Sequence, residues 1–526
     1  MRDFHLPGRS PVFAENGMCA TSHPLAAQVA VETLKSGGNA VDAAIAGAVL
    51  LGQCEPAMTG IGGDCFVLLT PPGEDRVIAL NGSGRAPAGI SADALRQAGH
   101  KTVPLNDPAA ITVPGAIDAF CRLAEDWGKL GIARCLAPAI HYAEAGVPVA
   151  PRAGFDWQSH AAKLWGAGRT HYLADGEAPA VGTLFRMPAV AKALRLIAEN
   201  GRSGFYDGPV AEDMVATLRA AGGCHNLEDF ANCRAEYTDP ISGTYGGHEF
   251  LEHPPNGHGA TAILLANILK RFDIAGMDPY GTIRAHIETE AAKLAYDARD
   301  RIIGDADHTT RLDAMLSDAK AEQLAGLVDP KRVNGNVTAL TEEVHRETVY
   351  ITVVDRDRMC VSLIYSIFKD FGSGLAADDY GILFHNRGGG FCLTLGHPNE
   401  IGPGKRPLHT IIPAILRHQG RVVMPFGVMG GGYQPHGHLR LLSNMLDFGM
   451  DPQEAIDAPR VFFENGELRV ERGYSNAVHT DLAAMGHNVV VPRFPIGGAQ
   501  AIRLHHDAGV LEGASDPRKD GCALGY

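Results

Sequence analysis

The chain of 526 residues predicts a globular fold that combines helices with strands, helix-rich before about residue 347 and strand-rich after it. Two observations carry that reading. Hydrophobic residues make up 45% and charged residues 20%, with 63 Gly and 32 Pro, proportions of a chain that buries a large core and not of a disordered or fibrous one. The apolar pattern also changes from helical spacing to short β-branched runs near Glu347. At about 150 residues per domain, the length allows two to four domains or one large composite fold. The 46 Lys and Arg against 60 Asp and Glu leave a formal charge of -14, the wrong sign for neutralising phosphates, so nucleic acid is not an expected partner.

The first element is a helix from Pro24, PLAAQVAVETLKSGG, with Ser22 placed to cap it, Pro24 suited to its first turn and Gly37-Gly38 to stop it. A second helix follows from Asn39. After the tight glycine turn Gly60-Ile61-Gly62-Gly63, the runs CFVLLT and RVIAL flank PPGED and read as two strands. A mixed, mostly helical tract covers about Val113 to Ala221, and ETEAAKLAYDARDRIIGD from Glu288 has helical spacing with Leu294 and Ile302 inside it. The segment DPKRVNGNVTALTEEVHRE is polar and broken by Gly and Pro, as an exposed connector is. From Thr348 the runs TVYITVV, MCVSLIYSIF and AILRHQGRVVMPF are β-rich, and a glycine turn (GVMGGGYQPHG), a helix (HLRLLSNMLDFGM) and a strand follow. No repeat of fixed period is present.

The longest apolar stretch, Ala43 to Gly52, is far short of the roughly 18 residues of a membrane-spanning helix, so no membrane partner is expected. The opening MRDFHLPGRSPVFAENG has no apolar h-region, which predicts a cytoplasmic protein. Ten dispersed cysteines without a CxxC pair predict buried free thiols, not a zinc ribbon or redox motif.

Several chemistries are unsigned. There is no GxSxG elbow, and GIGGDC lacks both the dinucleotide and P-loop patterns, so it is read as a tight turn. His253, His258, His436 and His438 lie outside any HExxH setting and are read as structural or solvent-facing loop residues. The sharper feature is Thr348, which begins a strand at the end of the connector in HRETVYITVVD.

The blocks MCATSHPLAAQVAVETLKSGGNAVDAAIA, EPAMTGIGGDCFVLL, EAAKLAYDARDRIIGD, TVYITVVDRDRMCVSLIYS, KRPLHTIIPAIL, FGVMGGG, LDFGMDPQEAIDAPR and GASDPRKDGCALGY together resemble the gamma-glutamyltransferase family, in that order and over nearly the whole chain. That family is a branch of the amino-terminal nucleophile hydrolases. The resemblance implies an α+β fold, a four-layer αββα sandwich made as an inactive precursor. It further implies cleavage at Glu347-Thr348, giving a large fragment 1–347 and a small fragment 348–526. The two are expected to share one composite fold as a heterodimer, alone or paired as (αβ)2. A hydroxyl needs a base, and an α-amine freed by cleavage, with a pKa near 8, is one carried by the same residue. Ser366 matches a hydroxyl residue that the family sets beside the nucleophile, and Gly430-Gly431 match its paired oxyanion glycines. No cofactor or metal is required by this chemistry.

The chain also departs from the pattern. In Asn81-Gly82-Ser83-Gly84-Arg85-Ala86-Pro87 the family's carboxylate-binding arginine position holds Ser83, with Arg85 two residues on. The family's asparagine position is Phe368, its glutamine and ammonium-binding aspartate positions are Arg387 and Gly390, and its paired serines are His409 and Thr410. An anion has gone and a guanidinium has appeared. The expected substrate is therefore a small carboxylate-bearing amide without an α-ammonium, with Arg387, His409, Thr410, Ser83 and Arg85 as candidate binding residues. Two subfamilies are similar in this respect, oxamate amidohydrolases of purine breakdown and cephalosporin or glutaryl acylases, and oxamate is the preferred substrate. The alternatives are a gamma-glutamyl hydrolase or transpeptidase with a rearranged clamp and, more distantly, an unprocessed non-catalytic homologue.

Overall fold

The computed structural model describes residues 5, 8–335 and 348–526. Glu347 and most of the connector before it lie outside the described residues. Two seven-stranded antiparallel sheets dominate. Sheet I runs in the order Cys522–Gly525, Met18–Thr21, Val349–Val354, Cys360–Ser366, Asp64–Thr70, Ile78–Gly82 and Glu236–Thr238. Sheet II runs Val12–Ala14, Val510–Ser515, Gly498–His505, Arg421–Met429, Ala414–His418, His248–Glu252 and Ile241–Tyr245. Each sheet mixes strands from before and after Thr348.

Successive side chains of a strand point to opposite faces, and here both faces are buried. On sheet I, Val349, Ile351, Val353, Val361, Leu363, Tyr365, Cys65, Val67 and Leu69 pack against the helices Pro24–Lys35, Ala40–Cys54, Ala116–Asp126 and Ile132–Ala145. The alternate residues Val354, Cys360 and Leu68 meet Leu251, Ile415, Ile502 and Leu511 of sheet II. Phe66, Tyr350 and Ile364 meet Ile411 and Met429. The outer face of sheet II carries the helices Gly259–Leu269, Thr282–Ile302 and Gln434–Leu446. The layers are thus helix, sheet, sheet, helix, an αββα sandwich of α+β class.

Polar stitches cross the sheet interface. Ser362 Oγ shares a 2.6 Å hydrogen bond with Tyr350 Oη, accepts from the Ala414 amide at 3.1 Å and donates to the Phe426 carbonyl at 3.3 Å. Gly427 lies under the Tyr350 ring, where a Cβ would come within 2.3 Å of a ring carbon.

Several local expectations change. The first helix is Pro24–Lys35, but its N-cap is His23, whose Nδ1 accepts from the Leu25 amide; the Ser22 hydroxyl instead donates to Glu55. The second helix, Ala40–Cys54, opens with Asn39 and Asp42 in a capping box. His436 and His438 are not loop residues, because both lie in the helix Gln434–Leu446. Nor does any of the four singled-out histidines face solvent; all are buried. The ten cysteines are free thiols, with Cys224, Cys392 and Cys522 partly exposed and the rest buried. Among the described residues no helix is long and apolar enough to cross a membrane.

Since a Cβ on Gly427 would overlap the buried Tyr350 ring, Gly427→Ala should destabilise the sheet interface by about 1–3 kcal/mol, read as a lowered midpoint of thermal unfolding.

Candidate active site

The pleat of sheet I gathers the site. Val349 pairs with Tyr365 and Ser366 pairs with Asp64, so Thr348, Ser366 and Asp64 stand in one row across three neighbouring strands. All three share the parity of Tyr350, Ile364 and Phe66, so they stand on the face turned toward sheet II. Thr348 Oγ1 lies 3.5 Å from Ser366 Oγ, and Ser366 Oγ accepts from the Phe368 amide at 2.9 Å. The strand containing Ser366 passes so close to the glycine turn that a Cβ on Gly63 would sit 2.4 Å from the Ser366 carbonyl oxygen. Glycine is what lets the two backbones meet there.

Asp64 is the centre of the site's electrostatics, and reading GIGGDC as a turn missed it. Its Oδ1 accepts from the amides of Gly84 at 3.0 Å and Gly115 at 3.2 Å. Its Oδ2 lies 3.2 Å from His385 Nδ1, 3.2 Å from His409 Nε2 and 3.9 Å from Arg387 Nε. Complete burial pushes the carboxyl up, but His385 beside it and the hydrogen bond from His409 outweigh that and hold it well below the usual carboxylate range. Asp64 is therefore ionised. Burial, together with the neighbouring Arg387 charge, pushes His409 down to about 3, so neutral His409 donates from Nε2 to Asp64. His385 is fixed from its other side by the Thr112 carbonyl, 2.8 Å from Nε2.

Arg387 is fully buried on the short helix Arg387–Gly390. Its Nη1 donates to Thr410 Oγ1 at 3.2 Å, and the Phe368 ring lies 4.3 Å from the guanidinium carbon. Burial pushes the guanidinium down to about 9, against the pull of Asp64, which leaves it charged at neutral pH. Nε and Nη2, which form one edge of the fork, have no hydrogen-bond partner among the described residues. The 3.9 Å separation from Asp64 is too long for one. Gly390 has its own constraint: a Cβ there would lie 2.5 Å from the Leu408 carbonyl oxygen.

The other candidates divide. Ser83 Oγ donates to Asn81 Oδ1 at 2.9 Å and accepts from Asn256 Nδ2 at 3.1 Å. The Asn256 carbonyl in turn accepts from the His409 amide at 2.8 Å, so Ser83 and His409 are joined through Asn256. Arg85 is not brought to this group. Its guanidinium reaches the Gly404 carbonyl at 2.9 Å, Glu236 at 3.1 Å and Asp305 at 3.5 Å, with 38% of the side chain exposed. Extension from Ser83 suggested one shared side, but the strand ends at Gly82 and strand alternation ends with it. Gly430 and Gly431 follow the strand Arg421–Met429, both with positive φ, at +119° and +54°. Met429 packs with Tyr350, so the glycines lie at the Thr348 end of the interface.

The arrangement thus combines a buried hydroxyl pair with an anchored guanidinium that has an open edge. Comparison with known proteins agrees in scale. The gamma-glutamyltranspeptidase family model matches residues 26–526. The chain is 35% identical to the Bacillus subtilis glutathione hydrolase-like YwrD proenzyme, covering 98% of this chain and 99% of that one. It is 34% identical to the Klebsiella pneumoniae oxamate amidohydrolase proenzyme, covering 97% and 98%. The crystal structure of cephalosporin acylase from Bacillus halodurans superposes with a TM-score of 0.91 at 36% identity, over 100% of this chain and 99% of that one. The chain belongs to the gamma-glutamyltranspeptidase family and is an amidohydrolase of it.

Proposed function

We propose that the protein is a self-processing threonine amidohydrolase whose substrate is a small amide with a carboxylate on its acyl group and no α-ammonium, oxamate being the best case. The observation that carries this reading is the open Nε and Nη2 edge of buried Arg387. A carboxylate completes that edge with two parallel charge-assisted hydrogen bonds. The Phe368 ring packs against the guanidinium, and Thr410 holds its third nitrogen.

The reaction begins when water hydrolyses the peptide bond before Thr348, leaving a carboxylate on the residue before it and a free amine on Thr348. That amine takes the proton of the Thr348 hydroxyl as Oγ1 attacks the amide carbonyl, then passes it to the leaving nitrogen as the C–N bond breaks. Water next attacks the ester, the amine again taking and returning a proton, so that amide plus water yields acid plus ammonia. The amides of Gly430 and Gly431 are the donors assigned to the oxyanion, and Ser366 orients Thr348.

A gamma-glutamyl substrate needs an anion for its ammonium. The family's position for that anion is Gly390, where the backbone of Leu408 leaves no room for a side chain. Asp64 is the acid beside Arg387, but the Gly84 and Gly115 amides and His409 already occupy its oxygens. An ammonium held there would lack a partner, at a cost of several kcal/mol. The family's names point three ways at similar identity, to glutathione, oxamate and cephalosporins. Parallel assays of ammonia release from oxamate, of a gamma-glutamyl anilide and of a glutaryl amide decide among them. Turnover of the anilide alone overturns the proposed substrate class.

Thr348→Ala should remain a single 55.7 kDa chain on denaturing electrophoresis and show no turnover, whereas the native protein splits in two. Arg387→Ala should cleave itself normally but raise KM for a carboxylate-bearing amide by about 10- to 100-fold, and Arg387→Lys should recover only part of this because an ammonium offers no fork. Asp64→Asn should leave the buried guanidinium uncompensated, lowering stability by about 3–5 kcal/mol and the thermal midpoint with it.

A further inference from the structure

We infer that His286, Glu290 and His487 form a binding site for a zinc-class divalent cation, outside the amidase site and bridging the two predicted fragments. His286 and Glu290 are four residues apart on the helix Thr282–Ile302 and so share a face. His487 follows the helix Asn476–Ala484, its amide bonded to the Leu482 carbonyl at 3.2 Å. All three are buried, and one ligand atom from each lies within 4.8 Å of the others.

The hydrogen bonds around the cluster are those of ligands already oriented. His286 Nε2 donates to the Asp329 carbonyl at 2.8 Å, which leaves Nδ1 as the lone-pair nitrogen. A backbone carbonyl on the far ring nitrogen is the common way a metal-binding imidazole is held. That Nδ1 faces His487 Nε2 at 2.8 Å, while His487 Nδ1 has no partner among the described residues. Moving the His487 proton from Nε2 to Nδ1 therefore breaks only the bond between the two rings and turns both facing nitrogens into lone pairs. Two nitrogens about 2.05 Å from a tetrahedral zinc stand about 3.3 Å apart, so the rings part by roughly half an ångström. Glu290 accepts from Lys293 Nζ at 2.8 Å and from the Asn334 amide at 2.9 Å, one bond to each oxygen, which leaves lone pairs for a metal. Lys293 is the competing cation, and the same Nζ also lies 3.5 Å from the Asn334 carbonyl and 5.0 Å from the Phe463 ring centre, contacts that do not depend on Glu290. Two imidazoles and one carboxylate, with water in the fourth position, suit zinc better than calcium or magnesium.

The place gives the site a use. His286 and Glu290 precede residue 348 and His487 follows it. The cluster also holds Asp329 and Asn334, at the end of the described part of the large fragment. A cation here ties both fragments together. That bridging rests on cleavage before Thr348, whereas cation binding does not.

Purified protein, stripped with a chelator and dialysed, should take up one zinc per chain by calorimetry and by elemental analysis. Cobalt in its place should give the intense visible bands of a tetrahedral site, and zinc should raise the midpoint for urea dissociation of the fragments. His487→Ala and Glu290→Gln should each weaken zinc binding more than about tenfold while self-cleavage and turnover persist. Thr348→Ala should bind zinc as the native protein does, which separates failure of this site from failure of the proposed reaction. Less than one tenth of an equivalent bound by native protein, or equal binding by both ligand variants, overturns the site.

Discussion

An ionised carboxylate sealed between two sheets must be answered by donors and a countercharge, and that requirement organises this molecule. Asp64 is fully buried, and taking such a charge out of water costs several kcal/mol unless it is paired and hydrogen-bonded. Backbone amides of Gly84 and Gly115 answer one oxygen and His409 the other, with His385 and Arg387 close by. These residues come from four separate stretches of chain, none of them the stretch that carries Asp64. Holding them around one carboxylate fixes how the loops of both sheets close over the end of the strand Val349–Val354. Arg387 is thereby kept charged without being used up, its fork too far from Asp64 to bond yet near enough to be stabilised by it.

Much of this was legible from the residues. The row of blocks running to GASDPRKDGCALGY pointed to the family and the layered fold. What was hidden depended on non-local pairing. Asp64 looked like part of a glycine turn because nothing nearby says that the strand starts at that residue, facing the second sheet. Its partners lie 20 to about 345 residues away, and no local pattern records such distances. Arg85 misled for the complementary reason. Strand alternation was extended past Gly82, where the strand stops and Glu236 and Asp305 draw the guanidinium outward. His436 and His438 misled because glycines before them suggested a turn, while the tertiary structure continued a helix through Pro435 in its first turn.

The alternation of burial explains why the strand after Thr348 carries so little polarity. With helices on one side and a second sheet on the other, each position of Val349–Val354 is buried, and its two hydroxyls are both bonded, Tyr350 Oη to Ser362 Oγ at 2.6 Å and Thr352 Oγ1 to the Val361 carbonyl at 3.0 Å. Such a strand reads as a continuous apolar run, not as an alternating one. The strand lies between Met18–Thr21 and Cys360–Ser366, so pairing on both edges keeps Val349 in register with Tyr365 and thereby Thr348 beside Ser366.

Gly390 is held to glycine by the main chain packed against it, not by any one side chain. Because the Leu408 carbonyl occupies the volume where a Cβ would begin, restoring an acid at that position is not a single-codon change. The loop would first have to retreat, disturbing the Asn399 side chain, which donates to the Gly390 carbonyl at 2.6 Å and accepts from the Leu408 amide at 2.9 Å. Any side chain at residue 390 thus displaces main chain first, so the loop loses its anchoring before a new contact is gained.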